Sequence, residues 1–118
     1  MDINGRPNHI EDYLISLHTG QWFGWSDSKN KVYANLIIHD SSKTKPTEQE
    51  CTDGLAQLQN DYDWQEVRTK RNKLLAETDF YALSDVTMTT EMSNYRQALR
   101  DLPSSTSNPD DVVFPTKP

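Results

Sequence analysis

Apolar residues near the start of the chain repeat at helical spacing. Four of them fall at i, i+3, i+4 and i+7, which places them on one side of a helix: Ile10, Tyr13, Leu14 and Leu17. Asn8 is the expected N-cap of this helix, and Gly20 is the expected C-terminal stop. The pattern predicts a first helix with one buried stripe.

Two stretches with strand-like composition follow. Gln21 to Ser26 carries three aromatic residues, and Lys31 to Ile38 alternates apolar positions with others. The segment between them, Asp27 to Asn30, is rich in turn-forming residues. We therefore predict a β-hairpin. Because an isolated hairpin is marginal in water, the flanking helices are expected to cover one of its faces.

A second helix is predicted after the polar loop that ends at Pro46. Thr47 and Glu50 form a T-x-x-E capping box, in which a hydroxyl and a carboxylate satisfy backbone amides of the first helical turn. Apolar residues follow at helical spacing, namely Cys51, Leu55 and Leu58. Residues 1–60 are therefore predicted to form a small unit of helix, β-hairpin and helix.

Residues 61–103 have a helical pattern in two parts. Apolar positions keep an imperfect helical period from Asp63, and Thr78-Asp79 followed by Ser84-Asp85 indicates a helix end and a turn. Thr89 is the expected cap of a last helix that Pro103 stops. The apolar side of this helix contains Met92, Tyr95, Leu99 and Leu102. The two helices are predicted to form an antiparallel helical hairpin.

Residues 104–118 form a polar, proline-containing tail that is expected to be extended. Its short apolar group, Val112 to Phe114, is predicted to be anchored either on the chain's own helices or on a partner. The expected fold class is α+β and helix-rich. It has an N-terminal helix–β-hairpin–helix unit, a C-terminal helical hairpin and an extended tail.

Composition and charge restrict the function. The chain has 118 residues, a mean hydropathy of -0.85 and a net charge of -6. So acidic a protein is not expected to bind nucleic acid. The one basic cluster, from Arg68 to Lys73, indicates either a solvated helix face or a phosphate-binding patch, and the lack of a glycine-rich loop favours the former.

Nothing in the sequence indicates catalysis. Cys51 is the single cysteine and is predicted to be a small buried side chain, while the three histidines lie far apart and form no metal-binding motif. We therefore predict no enzyme activity, no cofactor and no metal. The N-terminus lacks an apolar signal sequence, and the longest apolar run is Leu36 to Ile38, so we expect a soluble protein made in the cytoplasm, with no membrane partner.

Motifs in the second half resemble a known family. The stretch RNKLLAETDF at 71–80, ALSD at 82–85, YRQALRDLP at 95–103 and FPTKP at 114–118 occur in the same order in the C-terminal module of phage tail assembly chaperone proteins. The resemblance covers residues from about 64 to 118. Phe80 and Phe114 stand where the family usually has tryptophan, and the gap before Tyr95 is about one helical turn shorter.

The resemblance implies a bacteriophage protein that binds another tail component through its C-terminal module, as a chaperone or adaptor. The expected partners are a tail, tail-fibre or baseplate protein, or further copies of the chain within an assembly, in the host cytoplasm. Alternatively, the protein is a structural component retained in the virion, in the tail, baseplate, collar or fibre attachment. A small host-directed regulatory or enzymatic factor is a third hypothesis.

Two roles are open for the polar residues of the module. The predicted partner-binding residues are Tyr95, Arg96, Leu99, Arg100, Val113 and Phe114. Arg96 and Arg100 are spaced to grip carboxylates of a partner. Alternatively, Arg100 or Arg71 pairs with Asp79 or Asp85 and locks the turn between the helices. The residues assigned to caps and turns are Thr47, Glu50, Thr78, Asp79 and Asp85.

Overall fold

The computed structural model describes residues 1–83 and 86–118. It confirms the α+β, helix-rich fold class. The regular elements are helix α1 (Ile10–Leu17), strand β1 (Phe23–Trp25), strand β2 (Leu36–Ile38), helix α2 (Glu48–Glu77) and helix α3 (Thr90–Ser105). The chain forms two compact units, Met1–Asn60 and Asp61–Pro118. Their boundary falls inside α2. No helix of the described residues is long and apolar enough to span a membrane.

Helix α1 is capped by His9. The His9 Nδ1 atom accepts a hydrogen bond from the Glu11 amide at 2.9 Å, and the Asp12 carboxylate accepts one from the His9 amide at 3.2 Å. The predicted cap at Asn8 is wrong, because Asn8 lies one residue too early and its own amide donates to Asp12. After the helix, Gly20 adopts a φ of 82°, a left-handed conformation that glycine tolerates.

The predicted β-hairpin is confirmed, with shorter strands. Strands β1 and β2 pair antiparallel, with Gly24 opposite Ile37. The second strand begins only at Leu36, because Tyr33–Asn35 forms a 3-10 turn. In the predicted turn, the Asn30 amide donates to the Asp27 carbonyl at 3.1 Å.

The core of the first unit combines residues from all its elements. Its buried members are Leu14, Trp22, Leu36 and Cys51. Tyr13 packs against this core, and its ring occupies the space that a side chain on Gly54 would need. Leu17, predicted to lie on the buried stripe of α1, is 37% exposed because the helix ends at this residue.

Helix α2 is a single helix of 30 residues. The sequence predicted one helix starting at Thr47 and another starting near Asp63. The segment between Leu58 and Asp63 contains no glycine or proline, so no residue there ends the first helix. The two predicted helices are therefore one.

The core of the second unit confirms the predicted apolar side of α3. Four apolar α3 residues are buried in this core: Met92, Tyr95, Leu99 and Leu102. Side chains from α2 and from the tail pack against them, including Leu74, Leu75, Val112 and Phe114. Thr89 caps α3 by accepting from the Met92 amide at 3.1 Å. The predicted stop at Pro103 is wrong, because the helix continues to Ser105, whose hydroxyl donates to the Leu102 carbonyl at 3.2 Å.

Candidate functional site

The guanidinium of Arg96 lies at the C-terminal end of α2. Its Nη1 atom donates to the Leu75 carbonyl at 2.9 Å and to the Thr78 hydroxyl at 2.6 Å, and its Nη2 atom donates to the Asp79 carboxylate at 3.0 Å. Arg96 is only 6% exposed. The last carbonyls of a helix lack partners within the helix, and a cation is favoured beside them. Arg96 therefore joins the end of α2 to α3.

Thr78 completes this connection. Its side chain is fully buried, and its hydroxyl accepts from Arg96 while donating to the Leu75 carbonyl at 3.1 Å. The Asp79 carboxylate, by contrast, is 66% exposed. The buried part of the network therefore consists of a hydroxyl, a carbonyl and a guanidinium, and the ion pair lies at its rim.

The three arginines considered in the sequence analysis have different environments. Arg96 is the residue that contacts Asp79. Arg71 bonds to the side chain of Asn72, at 3.1 Å from Nη2, and Arg100 is exposed. The predicted locks through Arg71 or Arg100 to Asp79 are therefore replaced by a lock through Arg96. Asp85 and Ser84 lie outside the described residues.

The six predicted partner-binding residues divide into two groups. Tyr95 and Leu99 are in the core of the second unit, and Arg96 is buried in the network at the end of α2. The accessible residues are Arg100, which is exposed, Val113, which is 81% exposed, and Phe114, which is partly buried. Of the six residues, only those of the second group are accessible to solvent.

The tail presents Val113 between two anchored neighbours. Val112 and Phe114 pack against the core of the second unit, and Val113 does not. The Lys70 ammonium lies 4.2 Å from the centroid of the Phe114 ring, a cation–π contact. The sequence pattern placed Lys70 on a solvated face and gave no sign of this contact, because the two residues are far apart in the chain.

The turn after α2 also exposes apolar side chains. Phe80 is 50% exposed and Leu83 is 58% exposed. The Phe80 ring stacks at a tilt on the Tyr81 ring, with centroids 4.1 Å apart. Phe80 therefore keeps an accessible face. It stands at a position where the family that the C-terminal motifs resemble usually has tryptophan.

The remaining predicted cap lies in the first unit. The Glu50 amide donates to the Thr47 hydroxyl at 3.1 Å, at the start of α2. Nearby, burial and the carboxylates of Glu50 and Glu48 raise the pKa of the Cys51 thiol, so it is protonated at neutral pH. Within residues 1–83 and 86–118, no group of three potential metal ligands comes together.

The second unit is thus a helical module with an extended tail held on it. Its residues 64–118 match the family model described as phage tail assembly chaperone protein. The match covers just under half of the chain, confirms the predicted C-terminal module and supports a role in phage tail assembly. No curated protein and no solved structure matches the chain.

Proposed function

We propose that the protein acts as a chaperone or adaptor that binds another phage tail component through the accessible surface of its second unit. The observation that carries this proposal is Val113, an apolar side chain that is 81% exposed on a tail whose neighbours Val112 and Phe114 are packed. A segment already held in its extended conformation loses little conformational entropy when it binds. Val113 is therefore a favourable anchor for a partner.

Arg100 supplies the polar part of the proposed surface. It is exposed on α3, one helical turn after the buried Arg96. A free guanidinium can form paired hydrogen bonds with a carboxylate of the partner. The proposed contact thus has an apolar anchor in the tail and a carboxylate-binding group on the helix, and the partner is a tail, tail-fibre or baseplate protein in the host cytoplasm.

The test is co-expression with the proteins of neighbouring tail genes, followed by size-exclusion chromatography and affinity measurement. Val113→Ser should weaken the complex about tenfold, since burying a valine contributes about 1.5 kcal/mol and 1.4 kcal/mol corresponds to tenfold in affinity. Val32→Ser, which changes a 46% exposed valine of the first unit, is the matched control.

Circular dichroism separates binding from folding. Val113→Ser should leave helix content unchanged, whereas Phe114→Ser should lower stability as well as binding, because Phe114 packs on the core of the second unit. A Val113→Ser variant that loses helix content, or one that binds every tail component as the parent does, contradicts the proposal.

A second candidate is a structural role in the virion. The packing of Val112 and Phe114 on the chain's own helices supports it as much as the first candidate, since a docking segment that is ordered before binding suits a permanent interface as well as a transient one. Mass spectrometry of purified particles distinguishes the two. A chaperone should be absent from mature particles, and a structural component should be present in fixed copy number.

A further inference from the structure

Strand β1 has an edge that is not paired with β2. The His39 amide donates to the Trp22 carbonyl at 2.9 Å, and the Ser26 amide donates to the Asn35 carbonyl at 2.8 Å. These bonds flank the Gly24–Ile37 pair. Residues along an antiparallel pair alternate between hydrogen-bonded and non-bonded positions. The backbone groups of Gly24 therefore face β2, and those of Phe23 and Trp25 point away from it.

A groove runs along this unpaired edge. It has a volume of about 560 Å³, and its walls come from α1, β1 and the residue after β2. Ile15 on α1 is 59% exposed and lines the groove, while Phe23 and Trp25 line it with partly buried aromatic rings. The groove thus offers apolar walls beside the backbone donors and acceptors of Phe23 and Trp25, which have no hydrogen-bond partner within residues 1–83 and 86–118.

The backbone chemistry of the edge specifies an extended occupant. Successive N–H and C=O groups along a strand edge are matched by another extended backbone, and a helix cannot match them because its own amides are bonded internally. The His39 ring fills the space that a side chain on Gly24 would occupy. A second backbone can therefore approach along the edge of β1, but not over the face of the sheet at Gly24. An added strand is the occupant that fits.

The charge of the groove favours a basic side chain on the occupant. Glu11 is the carboxylate among the lining residues, and the lining contains no lysine or arginine. Glu11 accepts a hydrogen bond from Lys31 at 3.2 Å, on the surface. A carboxylate has room for further donors, so Glu11 can bind a second cation.

We propose that the edge of β1 and the facing side of α1 form a docking groove for an extended segment of a partner polypeptide, which adds to the sheet as a third strand. Its apolar side chains contact Ile15 and Trp25, and a lysine or arginine contacts Glu11. This gives the first unit a binding role of its own, separate from the surface of the second unit.

The test uses the full chain, labelled with ¹⁵N, and a synthetic peptide that alternates valine with threonine and carries lysine at each end. Binding is measured by fluorescence anisotropy, and amide hydrogen exchange is measured by NMR. The bound peptide should slow exchange of the Phe23 and Trp25 amides at least tenfold, while the Gly24 amide, which faces Ile37, should change little. The same peptide with N-methyl groups at every residue, which blocks the amide donors of both its edges, should bind at least tenfold more weakly.

Variants of the chain provide the second part of the test. Ile15→Lys should weaken binding about tenfold, since it removes an apolar wall and places a cation one helical turn from Glu11. Ile3→Lys, at a 99% exposed isoleucine, is the matched control and should bind as the parent does. Glu11→Gln should weaken the lysine-ended peptide but not a version ended by threonine.

Three results would overturn the proposal. The first is equal binding of the N-methylated peptide, and the second is binding without protection of the Phe23 and Trp25 amides. The third is a free chain that is already dimeric with both amides protected, because the occupant would then be a second copy. Val113→Ser should leave peptide binding unchanged, so failure here is distinct from failure of the proposed function.

Discussion

Replacing Arg96 by alanine removes all the hydrogen bonds that its guanidinium makes at the end of α2. Two of them, to the Leu75 carbonyl and the Thr78 hydroxyl, lie in a part of the structure where Thr78 is fully buried. The third reaches Asp79, whose side chain is 66% exposed. The structure therefore predicts that the buried bonds account for most of the effect.

The magnitude follows from these environments. A hydrogen bond that involves a charged group contributes about 1.5–3 kcal/mol, and losing a buried partner adds the cost of an unsatisfied group. Since the two buried bonds share one nitrogen and are not additive, Arg96→Ala should cost about 3 kcal/mol. Asp79→Ala breaks only an exposed ion pair and should cost under about 1 kcal/mol.

Native-state amide hydrogen exchange measures this loss in the second unit directly. The Leu99 amide, in the buried part of α3, should exchange on the order of a hundredfold faster in Arg96→Ala than in the parent. Arg100→Ala, on the exposed side of the same helix, is the control and should change stability by less than about 0.5 kcal/mol. The reasoning fails if Arg96→Ala resembles Arg100→Ala, or if Asp79→Ala costs as much as Arg96→Ala.

Three further predictions concern the first unit. Gly54→Ala should destabilise the first unit in urea unfolding, because the Tyr13 ring occupies the space of the new methyl group. This should outweigh the preference of a helix for alanine over glycine, about 1 kcal/mol. In a Tyr13→Ala background, the same change should stabilise the first unit. His9→Ala should cost about 1 kcal/mol by removing the cap of α1, while His9→Asn should restore most of it; equal stability of the two variants would contradict the capping role. Burial acts to raise the pKa of Asp12, but hydrogen bonds from the N-terminal ammonium and from the amides of Asn8 and His9 outweigh it, so the pKa in the folded protein is lowered. The stability that Asp12 contributes should therefore be present above its pKa in the unfolded chain. It should be lost as the pH falls through its pKa in the folded protein. Asp12→Asn should therefore flatten the acid side of the stability profile measured by thermal unfolding.

Local signals determined much of this protein in advance. The spacing of apolar residues predicted the buried side of α3, and Thr89 marked its start, because a cap and a helical stripe act within a few residues. The strand-like composition of residues 21–26 and 31–38 predicted the hairpin, because this signal also acts within a few residues. The ordered motifs of residues 64–118 identified the C-terminal module without reference to its packing.

Only the tertiary structure decided which residues remain available to a partner. An exposed contact surface could contain the same kinds of side chain as Tyr95, Leu99 and Arg96. The burial of these three residues depends on α2 residues that are distant in the sequence. The pairing of Arg96 with Asp79 spans 17 positions, whereas the sequence-based prediction assigned the lock on Asp79 to Arg71 or Arg100. The outward position of Val113 likewise depends on where Val112 and Phe114 pack. Burial and ion pairing depend on contacts between distant segments, and one-dimensional spacing does not specify those contacts.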